Sequence, residues 1–210
     1  MDMTQPAPIR LHWFPLSGHA HRAQLGAALL GVPVELVPVD LKNGEHKQPA
    51  FLAMNRFAQV PVLEHGSVVL ADSNAILIYL AERFDEAHRY WPKEPERRAE
   101  VQRWLSVAAG QLKEGPCNAR LVRVFGAPLD HALALRKAHE LLTVMEAELA
   151  RRAFLVGESA TLADIALYTY TAHAPEGDVS LEAYPAVRAW LSRIEALPGF
   201  VPMQRSEAKP

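Results

Sequence analysis

The strongest constraint on this sequence is a change of period near residue 86. Before it, short alternating apolar runs are interleaved with a helical one. After it, each apolar pattern repeats at three to four residues, and no convincing strand follows. A chain written this way reads as a small α/β unit followed by an all-α one. Residues 9–14, IRLHWF, alternate and read as a strand. Residues 20–30 carry Leu25, Ala28 and Leu29 at helical spacing, and Gly31 stands where a glycine stops a helix. VELVPVDL at 34–41 is a second strand. A short crossover helix between two such strands implies a parallel pair and a right-handed connection. After the polar loop KNGEHKQPAF, the runs VPVLEH (60–65) and SVVLAD (67–72) suit a β-hairpin, and Asp72-Ser73-Asn74 opens the helix NAILIYLAERF. The order is β-α-β-β-β-α, over residues 1–86.

EAHRYWPKEPERR is polar, contains Pro92 and Pro95, and reads as a linker over 87–95. Residues 96–210 form the helical part. Helices are expected over 96–113, 130–152, 162–173 and 185–197, and the third is apolar nearly all round, as a buried helix would be.

Bulk properties narrow the function. The formal net charge is −2 over 210 residues, so no electrostatic attraction to nucleic acid or an anionic membrane is expected. The one cysteine, Cys117, allows neither an internal disulfide nor a CxxC pair. Dithiol chemistry and a cysteine-ligated zinc are thereby excluded, and a reducing, cytoplasmic setting is expected. MDMTQPAPIRLHW lacks the pattern of a signal peptide, and the apolar stretches are too short to span a bilayer.

Four local features carry chemistry or its structural alternative. In FPLSGHAHRAQL, Ser17 sits where a strand turns into a helix. It either caps that helix or faces a ligand at its N-terminus, with His19 beside it and His21 inside the helix, at the surface. In Gln59-Val60-Pro61-Val62, a proline inside a strand belongs at an edge or an irregularity. A cis Val60-Pro61 bond would leave the Val60 backbone free to pair with an extended peptide; the alternative is a trans proline on an edge strand. Asp72 and Ser73 are good caps, yet a helix N-terminus with a hydroxyl also receives carboxylates. Thr161-Leu162-Ala163-Asp164 is a capping box with Asp at its third position, and is read as structural.

LSGHAHRAQLGAALLGVPVELVPVDL, NRFAQVPVLEHG, LADSNAILIYLAERF and VGESATLADIAL, in this order and at these separations, resemble a bacterial cytosolic glutathione S-transferase. The resemblance implies a thioredoxin-like first domain, an all-α second domain, a homodimer and a role in detoxification. It implies glutathione as co-substrate, no metal, and a small hydrophobic electrophile held between the domains. Carried over to this chain, Val60, ahead of Pro61, meets the cysteinyl part of glutathione. Asp72 and Ser73 hold its γ-glutamyl end, and His46 and Gln59 its glycine end. Ser17 meets the sulfur, with His19 as the other candidate. No tyrosine or cysteine lies at 15–22, so within the resemblance the serine turn fits the theta, zeta and nu-like groups, and the EHK stretch at 45–47 looks more theta- or nu-like. Peroxide or disulfide reduction on the same site, and a non-catalytic protein-binding module, are the alternative readings. Trp104, Ala108, Gln111 and Leu112, with the 115–128 segment, are expected to line the electrophile pocket.

Overall fold

The computed structural model describes residues 8–206. Strand β1 (Ile9–Trp13) leads into helix α1 (Gly18–Leu29), which returns to strand β2 (Val34–Pro38). Helix α2 (Pro49–Met54) precedes the hairpin β3 (Val62–His65) and β4 (Val68–Ala71), and helix α3 (Ser73–Phe84) completes the first unit. Helices α4 (Pro95–Ala109), α5 (Asn118–Phe125), α6 (His131–Leu149), α7 (Leu162–Ala172) and α8 (Pro185–Glu195) follow. The strand order is β2-β1-β3-β4, with β1 and β2 parallel and the other pairs antiparallel.

Register decides what this sheet presents. His12 pairs Val62, Val62 pairs Ala71, and Trp13 pairs Pro38. The exits of β1, β2 and β4 and the entry of β3 therefore lie at one end of the sheet. That end carries the turn before α1, the loop after β2, the Val60-Pro61 bond and the start of α3.

Helices α1 and α3 are buried on two sides. Ala23, Ala27, Ile76 and Leu80 pack against Ile9, Leu11 and Leu63 of the sheet. Leu25, Leu29, Leu77 and Ala81 pack instead into the helical core, with Trp104, Leu105 and Ile165. Fully burying a Leu or Ile side chain contributes roughly 1.5–3 kcal/mol before entropy is counted, so this shared layer holds the two parts together strongly. Gly31, at φ 69°, terminates α1 in a conformation that glycine adopts without a Cβ penalty.

The order expected from sequence gains α2 in the 42–51 loop. Pro49 at its first position presets the helix, but six residues are too few to show a period. Only Phe51 of α2 is buried, against Val39, Val60 and Val62. The 87–95 segment is more than a tether. Tyr90 and Trp91 are buried, and the Asp85 carboxylate accepts from the N–H groups of Arg89, Tyr90 and Trp91 at 3.0, 2.7 and 3.2 Å. Helix α4 ends at Ala109 rather than 113. A wider turn over Lys113–Cys117 holds Pro116, and α5 begins directly after it. Gly110, at φ −100° and ψ −92°, leaves the helical region and ends α4, and Pro116, which lacks an N–H to continue a regular ladder, sits in the wider turn beyond it.

The capping box is present at α7. Thr161 Oγ1 accepts from Ala163 N at 3.3 Å, and Asp164 Oδ2 accepts from Thr161 N at 2.8 Å. Thr161→Ala is expected to remove about 1 kcal/mol and lower the melting temperature by roughly 2–4 °C. Ligand affinity of the folded fraction, measured by titration calorimetry, stays unchanged. A normal melting curve with lost affinity would reverse the structural assignment.

Candidate functional site

The β1 exit turns at Phe14, where Ser17 N donates to Phe14 O at 2.9 Å. Ser17 then takes an extended conformation, and its Oγ accepts from Ala20 N at 3.2 Å, so Ser17 is the N-cap of α1. Accepting that bond leaves the hydroxyl proton free to donate. The N–H groups of Gly18 and His19 begin the helix without intrahelical acceptors, at the positive end of its dipole. Gly18 is needed for packing: a Cβ there would lie 2.7 Å from the Tyr170 ring. Absence of that carbon lets α7 close against the turn.

His19 sets its ring edge-on to Tyr170, with centroids 5.0 Å apart. Burial pulls its pKa down to about 3, and the Arg22 and Lys113 charges push the same way. It is a neutral imidazole at neutral pH. His21, expected at the surface, is buried instead, because α1 is covered on both sides. Its Nδ1 meets Thr169 Oγ1 and its Nε2 meets the Val201 carbonyl, both at 2.9 Å. Burial holds its pKa near 4, against the opposing pull of the Val201 carbonyl.

The Val60-Pro61 bond is cis. Val60 is buried and Gln59 is exposed, with the Gln59 carbonyl accepting from Asn55 Nδ2 at 2.8 Å. Asp72 caps α3 from a positive φ of 73°, its Oδ1 accepting from Asn74 N and Ala75 N at 2.8 and 3.0 Å. Its Oδ2 has no hydrogen-bond partner among the described residues. Ser73 is only 2 % exposed and accepts at Oγ from Arg22 Nη1 at 2.9 Å. The same nitrogen donates to Asn74 Oδ1 at 3.0 Å. His46 lies in the short helical turn after β2, its Nδ1 buried without a partner among the described residues.

So Ser17, His46, Gln59, Val60, Pro61, Asp72 and Ser73 belong to segments that open at one sheet end. The residues expected to line an electrophile pocket are divided. Ala108 and Leu112 are fully buried in the helical core. Trp104 and Gln111 line a cavity of about 190 Å³ shared with Leu141 and Val144 of α6, and no residue of the α1 turn borders it. The side chains that do face that turn are Phe125, whose ring is 6.5 Å from Phe14, and Tyr170. Arg120 supports it from α5, donating to the Leu16 carbonyl at 2.8 Å while paired to Glu176 at 2.7 Å.

Arg22, Arg120 and Tyr170 were not singled out in the sequence. Arg22 carries a readable signal: it shares i, i+3, i+7 spacing with Leu25 and Leu29. A cation in an apolar stripe faces the interior and needs a partner there. Arg120 and Tyr170 carry no such local signal, since their contacts come from distant segments.

A four-stranded mixed sheet with α1 and α3 on one face, its site at the exits of β1 and β4, and a helical bundle behind define a thioredoxin-like domain joined to an all-α domain. Residues 7–82 match the family model for the glutathione S-transferase N-terminal domain, and residues 130–198 match that for the C-terminal domain. The chain belongs to the glutathione S-transferase family. Glutathione S-transferase 3 of Zea mays is 35% identical over 204 residues, covering 92% of this chain and 92% of that protein. Glutathione S-transferase theta-2 of Homo sapiens is 32% identical over 178 residues, covering 80% of this chain and 73% of its own. The crystal structure of a glutathione S-transferase from Pseudomonas fluorescens Pf-5 superposes with a TM-score of 0.87 at 33% identity, covering 93% of this chain and 98% of that one.

Proposed function

We propose that this chain is a glutathione transferase that favours the glutathione thiolate for attack on a small hydrophobic electrophile. One observation carries the reading beyond family membership: the N-termini of α1 and α3 and the Val60-Pro61 bond open at one sheet end. The groups there suit the tripeptide. Ser17 offers a hydroxyl proton and the two following N–H groups to a sulfur. The N–H and C=O of Val60 take no backbone partner among the described residues, and they suit the cysteinyl amide and carbonyl. Asp72 Oδ2 suits the γ-glutamyl amine and Ser73 its carboxylate, while His46 and Gln59 lie toward the glycine end. Phe14 and Phe125 supply an apolar wall for the electrophile beside Ser17.

The same reading includes a homodimer, a cytoplasmic location, a role in detoxification and a serine-type, theta- or nu-like site, with domain limits of 1–86 and 96–210. Phe57, 83 % exposed, and Val144, 53 % exposed, support a dimer as uncovered apolar side chains. Among the described residues no helix is long and apolar enough to cross a membrane.

Titration with glutathione, followed by assays on halogenated aromatics, hydroperoxides and small disulfides, tests the reading and separates conjugation from reduction. Ser73→Ala is expected to weaken glutathione binding by about 1–3 kcal/mol, as for a lost hydrogen bond to a charged group. Unchanged affinity in that variant would place the γ-glutamyl end elsewhere.

A further inference from the structure

Arg120 joins distant segments through one guanidinium. It lies on α5, is 1 % exposed, and donates from Nε to Glu176 Oε2 at 2.7 Å and from Nη1 to the Leu16 carbonyl at 2.8 Å. Glu176 is itself held. Its Oε1 accepts from His173 Nδ1 and its Oε2 from Ser206 Oγ, both at 2.7 Å. The turn that carries Glu176 lies tight on α5, since a Cβ at Gly177 would come within 2.5 Å of the Arg120 backbone nitrogen. Burial opposes the Glu176 charge, yet hydrogen bonds from Ser206 and His173 and the Arg120 guanidinium hold its pKa at about 2. The pair is therefore fully charged at neutral pH.

The consequence falls on one peptide plane. The Leu16 carbonyl and the Ser17 N–H belong to the same rigid unit. Arg120 holds the carbonyl, and the N–H donates to Phe14 O at 2.9 Å. Fixed from both sides, that plane sets how the chain enters Ser17, and with it the direction of the Ser17 hydroxyl and of the first N–H groups of α1. Because Glu176 offsets the Arg120 charge, the arginine contributes little field of its own at the sulfur, and its contribution is geometric. The segment 201–206 joins the same assembly. It has no regular secondary structure, yet the Val201 carbonyl meets His21 Nε2 at 2.9 Å, Met203 is buried, and Ser206 ends on Glu176.

We infer that Arg120 is a positioning residue for the sulfur site: oriented by Glu176 and Ser206, its guanidinium fixes the Leu16–Ser17 peptide and so aims the Ser17 hydroxyl and the Gly18 and His19 N–H groups. The inference rests on the glutathione reading above. It makes the pKa of the bound thiol depend on a residue that touches neither glutathione nor electrophile.

Arg120→Lys tests it. Lysine keeps a charge for Glu176 but offers one nitrogen where arginine uses two in a fixed fork, so it cannot serve Glu176 and Leu16 from both positions. Glutathione affinity, measured by calorimetry on the full chain, should stay nearly constant. The bound thiol, followed by the ultraviolet absorbance of its thiolate, should titrate at higher pH. At pH 6.5 kcat for conjugation should fall roughly tenfold, the scale of a lost hydrogen bond to a charged group, and the deficit should shrink as pH rises. Ser17→Ala added to Arg120→Lys should cost markedly less than it does in wild type, because both changes act on the same donors. An arginine that only stabilises the fold would lower the melting temperature and leave the thiol pKa where it is. If wild type binds glutathione and Arg120→Lys leaves the thiol pKa unmoved, or if the two substitutions multiply independently, the role of Arg120 is overturned while the glutathione reading stands. If Arg120→Lys does not fold, Ser206→Ala decides: it strips a donor from the Glu176 oxygen that Arg120 uses, and should raise the thiol pKa by a smaller amount. An unchanged thiol pKa in that variant overturns the role as well. If wild type does not bind glutathione, the glutathione reading fails and this inference with it.

Discussion

Ser17→Ala is expected to slow conjugation at pH 6.5 by roughly tenfold or more, the equivalent of one lost hydrogen bond to a charge, while glutathione affinity stays nearly constant. Glutathione reacts as its thiolate, and an unperturbed thiol has a pKa of about 8.5. Lowering that value by about two units requires a difference of roughly 2.7 kcal/mol between the two protonation states. The Ser17 hydroxyl, the N–H groups of Gly18 and His19 and the α1 dipole are available to supply it. Serine need not ionise, because glutathione is the nucleophile. The bound thiol should therefore titrate at higher pH in the variant. The rate deficit should shrink as pH rises and the thiol ionises unaided.

His19→Ala is the matched control. With a pKa of about 3, set first by burial, His19 carries no charge at pH 6.5 and cannot stabilise a thiolate by its own field. Its ring instead packs on Tyr170. An active Ser17→Ala beside a dead His19→Ala would transfer the sulfur contact to His19 and leave Ser17 as a cap alone. Because Ser17 Oγ also accepts from Ala20 N, the variant is expected to lose about 1 kcal/mol of helix capping as well. A melting curve separates that loss from the kinetic one.

Asp164→Ala should be the most destabilising single change at the base of α7. Asp164 is fully buried, and its carboxylate accepts from Leu155 N, Thr161 N, Thr161 Oγ1 and Trp190 Nε1 at 2.9, 2.8, 3.2 and 2.9 Å. Truncation leaves several buried donors without an acceptor, at about 1–3 kcal/mol each. A total on the order of 4 kcal/mol follows, and a fall in melting temperature on the order of 10 °C. Asp164→Asn should recover only part of it, since its amide NH2 faces donors. A melting temperature within a degree or two of wild type would mean that the 155–164 turn is held by packing alone. The effect is expected to leave the Ser17 site intact in whatever fraction folds, because Asp164 lies at the opposite end of α7 from Tyr170.

Much of the architecture was legible because it rests on local period. The alternation of Ile9, Leu11 and Trp13, the stripe through Ile76, Leu80 and Phe84, and the all-apolar run at 162–173 each announce their element. Helix α2 was not legible, because six residues are shorter than a readable period. The break after Ala109 is not legible because the apolar spacing continues through Leu112, while the backbone leaves the helix at Gly110 and changes pitch again near Pro116. The linker reading took the charge of 87–95 at face value, although Tyr90 and Trp91 anchor it.

The sequence by itself determined which elements form, where most begin, and which side chains with useful chemistry stand at their ends: Ser17, Asp72 and Ser73 are placed by caps and turns, and those are short-range physics. Only the tertiary structure decided what stands behind them. Strand register brings the β1 turn, the Val60-Pro61 bond and the start of α3 to one sheet end. Packing of α1 between sheet and bundle turns Arg22 inward onto Ser73, buries His21, and holds His19 neutral against Tyr170. Burial and charge pairing depend on neighbours that are distant in sequence, up to 180 residues for His21 and Val201. A local pattern can say that a cation faces inward, but only the assembled core says what it meets there.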